Sequence, residues 1–402
     1  MNYSSEEVLQ YIREDDVKFI RLAFCDVYGR QKNVSILAEE LPRAFDTGIA
    51  IDGSAIRGFG DESHSDLFLH PDPETLMPLP WRPEQGKVVL MYSKITRPDG
   101  SVFPCDTRSL LIRAVREAQD AGLHFAFGAE QEFYLFELDE KGNPTTTPFD
   151  HASYMDIAPD DRGENVRREI CLTLEQMGIC PESSHHEEGP GQNEIDFRYS
   201  DALNAADNVL TFQNVVKTVA YRNGLAADFR PKPLKDQPGN GFHINMSVNR
   251  NGSKQMFEQM MAGILEHIRE MTRFLNPLEE SYERFGTFKA PKYISWSSEN
   301  RSQLIRIPAA FGEYRRCELR SPDPYSNPYL AYTLLIRAGM DGIQNSRTLP
   351  APTDLNLFQA APEVLQQFRM LPLSLAESKD LAKDSPFIRV CIPQPILDIY
   401  TK

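Results

Sequence analysis

The chain has 402 residues, of which 41% are hydrophobic, 25% charged and 10% aromatic. That is enough to bury a substantial core and more than a single domain of ~100–200 residues holds. With 43 basic against 58 acidic residues the formal charge is −15, so nothing draws the whole molecule to phosphate backbones or anionic lipid, and nucleic acid and membrane are not expected as partners. Six scattered cysteines without a CxxC pair, no run near ~18 apolar residues, and an acidic amphipathic start (MNYSSEEVLQYIRE) predict a cytoplasmic protein with reduced thiols.

In chain order, residues 17–37 read as two strands around a Tyr28-Gly29 turn. Residues 48–70, rich in glycine and serine, read as a loop. The next stretch, HPDPETLMPLPWRPEQG, is too rich in proline for a helix or a central strand. Residues 87–92 (KVVLMY) predict a strand, and the prolines and Gly100 near 96–106 mark a boundary. The expected domains are 1–103, strand-rich, and 104–402, mixing strands and helices. In the second, Leu111, Val115 and Ala118 predict a helix over 107–121 that stops at Gly122. Val209, Phe212, Val216 and Val219 predict another over 208–223, with Asp207 as N-cap and Gly224 as stop. Residues 256–274 and 328–343 predict two more, the latter starting with Asn327 followed by Pro328 at the first position.

Four strand-like segments carry charge where a plain strand would not. Glu130 and Glu132 in GAEQEFYLFEL are two apart and share a face, with Tyr134 and Phe136 following. HHEEGPGQNEIDF carries Glu187, then Glu194 and Asp196 on one face. GNGFHINMSV sets His243, Asn245 and Ser247 opposite apolar neighbours, and YRRCELRSPDP spaces Arg316, Glu318 and Arg320 by two. Any one of these alone reads as the solvent side of a sheet. Four together, flanked by apolar residues, predict a buried site in which five carboxylates and an imidazole need cations to coexist. Such an oxygen-rich set with one nitrogen suits Mg²⁺ or Mn²⁺ rather than Zn²⁺, and with arginines nearby it suits phosphoryl transfer. Neither GxxxxGK[ST] nor GxGxxG is present, so a bound nucleotide needs another fold. The absence of GxSxG leaves an acyl-enzyme mechanism without support.

On the motifs DGSAIRGF (52–59), GAEQEFYLF (128–136), HHEEGPGQNEIDF (185–197), PKPLKDQPGNGFHINMS (232–247), NRSQLIRIP (300–308) and RCELRSPDPYSNPYL (316–330), in order over nearly the whole length, the chain resembles glutamine synthetase of the bacterial dodecameric type I. The resemblance implies an α+β fold: a small N-terminal β-grasp domain and a larger catalytic domain (glutamine synthetase/guanido kinase-like) with an antiparallel sheet flanked by helices. It implies a homo-oligomeric ring, a dodecamer, with active sites between neighbouring subunits and Asp52 donated from the adjacent one. The activity implied is ATP-dependent ligation of glutamate to ammonia or another amine through γ-glutamyl phosphate, with two or three Mg²⁺ or Mn²⁺. Carried over by motif, Glu132, Glu187 and Glu194 would hold one metal, and Glu130, His243 and Glu318 the second. Arg301, Arg306 and Arg316 match positions that contact ATP phosphates, while Glu182, Tyr199, Asn245 and Ser247 match nucleotide-binding positions. Arg284, Arg301, Arg320 and Gly239 match glutamate-binding positions, and Asp52, Arg301 and Arg320 fall on catalytic ones.

Three departures from that family's pattern stand out. The flap glutamate that receives the amine's proton falls on Lys289, a cation at neutral pH. The asparagine expected before Gly239 is Pro238, and the tyrosine that some members adenylylate is Phe358. Lys289 would then either bind a carboxylate on an unusual amine acceptor, making this a divergent γ-glutamyl amine ligase, or face Asp61 across the subunit boundary. The rival expectation is a catalytically weak relative kept for a binding or structural role.

Overall fold

A computed structural model describes residues 3–82, 85–249, 252–309 and 316–402. In the N-terminal part the strands are β1 (Val17–Cys25), β2 (Gln31–Leu37), β3 (Ile49–Asp52), β4 (Asp66–Pro71), β5 (Met77–Pro78) and β6 (Lys87–Thr96). They form a six-stranded sheet in the order β2-β1-β6-β4-β3, with β5 also on β6. β1 and β6 run parallel at its centre. Ile20, Leu22 and Phe24 turn into the core while Phe19 is exposed.

The hairpin turn falls at Tyr28-Gly29 as expected. Gly29 takes φ +82, and a Cβ there would lie 2.9 Å from the Cα of Asn327, so glycine is needed both for the turn and for the approach of the second domain. Asn327 Nδ2 donates to the Val27 carbonyl at 3.1 Å and Tyr400 Oη to the same carbonyl at 2.9 Å, tying the hairpin to the catalytic domain.

Two expectations need correction here. Residues 48–70 are not all loop: Ile49–Asp52 and Asp66–Pro71 pair as β3 and β4. The apolar Ile49, Leu67 and Leu69 are buried and drive that pairing, while the serines and every glycine but Gly48 lie in the connection between. β4 also pairs with β6 although it reaches into the proline-rich stretch, because Pro71 stands at its last position.

The second domain adds β7 (Phe125–Leu138), β8 (Pro144–Pro148), β9 (Pro181–His186), β10 (Gln192–Asp201), β11 (Leu225–Asp228), β12 (Phe242–Val248), β13 (Trp296–Ser298), β14 (Ile305–Ile307) and β15 (Cys317–Leu319). The sheet order is β13-β14-β15-β12-β7-β10-β9, with β8 and β11 on β7, and every pairing is antiparallel except β13 with β14. The predicted helices appear as Thr107–Asp120, Ala202–Arg222, Lys254–Leu275 and Pro328–Gln344, the last with Asn327 as N-cap. The last two lie so close that a Cβ on Gly263 would fall 2.0 Å from the Ala338 carbonyl.

The expected cap at Asp207 is wrong. That helix begins at Ala202, and Asp201 caps it by accepting from the amides of Leu203 and Asn204. Asp207 lies inside the helix and is buried. Arg108 donates to it at 2.9 Å and Tyr329 Oη at 2.6 Å, and Arg108 also reaches Asp72 of the N-terminal domain at 2.9 Å. A helix whose first turn is Ala-Leu-Asn-Ala extends further back than its apolar periodicity shows. No helix among the described residues is long and apolar enough to cross a membrane.

Candidate active site

Strand register builds the site. On β10 and β7, Glu194 sits opposite Glu132 and Asp196 opposite Glu130. β12 places His243 opposite Glu130, and β9 places His185 opposite Glu194. On the other side Glu318 of β15 lies between Asn245 of β12 and Arg306 of β14. Period-2 alternation thus becomes lateral rows of acids across one sheet face.

A cavity of about 520 Å³ opens over these rows. Glu130, Glu132, Glu187, Glu194, His243, Gly239, Arg284, Lys289, Arg301, Arg306, Arg316 and Arg320 all line it. Glu318 lies fully buried beneath: Arg306 Nη1 donates to one of its oxygens at 2.5 Å and Arg320 Nε to the other at 3.0 Å. Asn245 bridges the two halves, donating to Glu130 at 2.7 Å and accepting from Arg316 Nε at 3.0 Å.

Tyr199 and Ser247 share a hydrogen bond of 2.5 Å and line a separate cavity of about 360 Å³ at the other ends of β10 and β12. Glu182 on β9 lines neither cavity. Asp52 ends β3 in the N-terminal domain, its carboxylate accepting from the Ser54 amide and hydroxyl, and it does not line its own chain's cavity.

Ligand atoms of Glu130, His243 and Glu318 come within 4.8 Å of one another, as do those of Glu132, Glu194 and His243, of His185, Glu187 and Glu194, and of Glu130, Glu194 and Asp196. The first set is the one expected for one ion. In the other, His185 and His243 stand among Glu132, Glu187 and Glu194. His185 Nε2 is 3.4 Å from Glu194, and His243 Nδ1 is 3.3 Å from Glu130.

The electrostatics show what this crowding costs. Burial and then Glu132 push Glu187 up to about 7, and burial with Glu130 does the same to Asp196. Glu194 rises well above its ordinary value for the same reasons. Burial opposes a charged His243, yet Glu130, Glu132 and Glu318 hold its pKa up. Glu318 is held low, at about 2: burial works against it, and Arg320, His243 and Arg306 outweigh that. Acids that protonate for want of a counter-charge, and Asp196 Oδ1 buried with no hydrogen-bond partner among the described residues, fit a set of hard divalent cations.

The arginines carry their own vacant donors. Arg284 donates to the Ser321 carbonyl at 3.1 Å, but its Nε and that of Arg306 are buried with no hydrogen-bond partner among the described residues. Gly239 is needed beside Arg284, because a Cβ there would lie 2.4 Å from the Pro231 carbonyl and 2.7 Å from Arg284 Cγ. Pro238 contributes its carbonyl to Tyr134 Oη at 2.7 Å.

Lys289 stands at the mouth, engaged by the Glu188 carboxylate and 5.6 Å above the Tyr154 ring. It and Phe288 take φ of +65 and +43, a strained pair of the kind that gathers at binding loops. Within the chain Asp61 accepts from the Ser63 amide instead.

Sequence reasoning left His185, Glu188 and Tyr154 out of the site and gave Asp196 no role. His185 and Asp196 had a signal, since each shares its strand's period-2 face with the rest of the set. Glu188 and Tyr154 had none, because loops bring them in.

Comparisons with known proteins identify the family. The family description "Glutamine synthetase, beta-Grasp domain" matches residues 16–98, and "Glutamine synthetase, catalytic domain" matches residues 104–402. The chain is 43% identical to "Glutamine synthetase" of Methanosarcina mazei, covering 99% of this chain and 92% of that protein. It is 42% identical to that of Clostridium saccharobutylicum, over 99% and 93%. Among solved structures, "GmaS/ADP complex-Conformation 1" superposes with a TM-score of 0.88 at 27% identity, covering 100% of this chain and 94% of that one. "CryoEM Plasmodium falciparum glutamine synthetase" shares the fold, with a TM-score of 0.87 at 22% identity over 100% and 95%. With both domains matched in order and relatives above 40% identity along the whole length, the chain belongs to the glutamine synthetase family.

Proposed function

We propose that the protein is an ATP-dependent carboxylate–amine ligase that joins glutamate to ammonia or another amine through γ-glutamyl phosphate. The observation that carries this reading is the juxtaposition, over one sheet face, of an acid-rich, cation-demanding cluster with five arginines around a single cavity. A carboxylate is a poor electrophile. Its oxygen attacks the γ-phosphorus of ATP, ADP leaves, and the acyl phosphate so formed yields to the amine with loss of phosphate and a proton.

Arg284 and Arg320 are suited to hold the substrate's carboxylates, while Arg301, Arg306 and Arg316 face the charge that builds on the transferring oxygens. Tyr199 and Ser247 line the separate cavity suited to the rest of the nucleotide, and the neighbour solved with ADP is in keeping with that. Two or three Mg²⁺ or Mn²⁺, held by Glu130, His243 and Glu318 and by Glu132, Glu187 and Glu194, would neutralise phosphate charge when bound.

Asp52 lies outside its own chain's cavity, which suits a homo-oligomeric ring in which a neighbour supplies it. Six free cysteines suit a cytoplasmic setting. The acceptor is the part Lys289 bears upon: an ammonium group at the cavity, paired with Glu188, suits an amine that carries a compensating carboxylate better than it suits a bare cation.

Phosphate release measured with ATP, glutamate and a panel of amines tests the reading. Turnover with ammonia or with at least one amine is expected. No turnover with any pair would leave the site to a binding or structural role.

A further inference from the structure

We propose that the cavity between the β1–β2 hairpin and the helix Ala202–Arg222, away from the acidic site, binds a small multivalent oxyanion bearing phosphate or carboxylate groups. It encloses about 430 Å³, within the ~300–1,000 Å³ range of small-molecule sites. Arg21, Arg30 and Lys32 enter it from the hairpin and Lys217 from the helix, and no carboxylate lines it. In a chain of net charge −15, four cations around one acid-free hollow are a local reversal of sign.

Those cations are poorly compensated from within. Lys32 has Asp26 at 3.7 Å, but among the described residues no carboxylate forms an ion pair with Arg21, Arg30 or Lys217. The nearby Asp228 is taken by Arg230 at 2.6 Å. Burial and, next, the charge of Arg30 lower the pKa of Lys217 against the opposing pull of Asp228, and burial followed by Arg82 lowers that of Arg21. Like charges held together across a domain boundary are what an anion between them would relieve, and guanidinium groups are shaped to grip oxyanions in a bidentate way.

A bound anion would cross-link the two domains, since its ligands come from both. Gln213 stands in the same wall, and its amide donates to Gln131 Oε1 at 3.1 Å and to the Pro324 carbonyl at 2.9 Å. Gln213 thereby links this wall to Gln131, which stands between Glu130 and Glu132 on β7.

Thermal unfolding of the full chain, stripped of divalent ions over a chelating resin, with pyrophosphate and citrate as separate probes, tests this without any turnover, so its outcome is independent of the ligase reading. At least one probe is expected to raise the melting temperature of the wild type. Arg306→Gln, which alters the acidic site, should keep that shift. The double variant Arg30→Gln/Lys217→Gln should bind the same probe at least ~10-fold more weakly, and Lys217→Arg should restore binding. A shift with pyrophosphate alone assigns a phosphate ligand, and one with citrate alone a carboxylate ligand. No shift with either probe in the wild type, or an equal shift in the double variant, would overturn the proposal.

Discussion

Glu318 is the residue where the two charge systems of the site meet. It is fully buried, carries a negative charge under the grip of Arg306 and Arg320, and faces His243 at 3.7 Å. Its neighbours across the sheet behave oppositely, and that contrast gives a pH prediction. Glu187 and Asp196 rise from ordinary values of 4.5 and 3.8 to about 7 in the metal-free chain. Their protonated forms favour the folded state, so that contribution is complete below about pH 4 and is lost as pH rises through 7. A divalent ion must displace those protons. Mg²⁺ should therefore bind more weakly at pH 6 than at pH 8, release protons on binding, and raise the melting temperature more at pH 8. Calorimetry in two buffers of different ionisation enthalpy reads all but the last, which a thermal melt supplies.

Arg306 gives a second prediction at this scale. Its replacement by Gln leaves Glu318 with Arg320 and His243 and removes a donor from the phosphate side. A loss of ~10²–10³-fold in kcat is expected, measured by ADP release at saturating substrates, with a near-native circular dichroism spectrum.

At the scale of elements, the site's acids were legible in the sequence because strand alternation is a two-residue rule. Once Glu130 and Glu132 are on a strand, their shared face follows. What was not legible was register: nothing local says that Glu194 lies opposite Glu132 rather than Glu130, so the partition of ligands between ions could not be read from spacing. The misplaced cap at Asp207 has a similar cause. Aspartate before an apolar period looks like an N-cap unless its partner is known, and Arg108 stands 99 residues away. That partnership is a prediction in itself. Arg108→Ala strands the Asp207 charge beside Tyr329 and severs the link to Asp72, and should cost about 3–5 kcal/mol of stability. The urea midpoint reads it, and Arg108→Met combined with Asp207→Leu should recover part of the loss.

For the whole molecule, both domains were anticipated from composition shifts and motifs, while their mutual arrangement was not. The hairpin turn at Gly29 packs on Asn327, and the last helix closes on the same hairpin through Tyr400. Contacts between residues some 300 positions apart leave no trace in local patterning. Asp52 sits in the first domain and the acids in the second, and the proposed ligase needs them in one site, so a working unit of more than one subunit follows from the account.

In the proposed reaction ATP activates a carboxylate by phosphorylating it. The direct measurement uses glutamate labelled with ¹⁸O in its γ-carboxylate, ATP, Mg²⁺ and an accepted amine. One labelled oxygen should appear in the inorganic phosphate for each amide formed, and chelator should stop both. Amide formed with unlabelled phosphate, or turnover indifferent to chelator, would contradict the account.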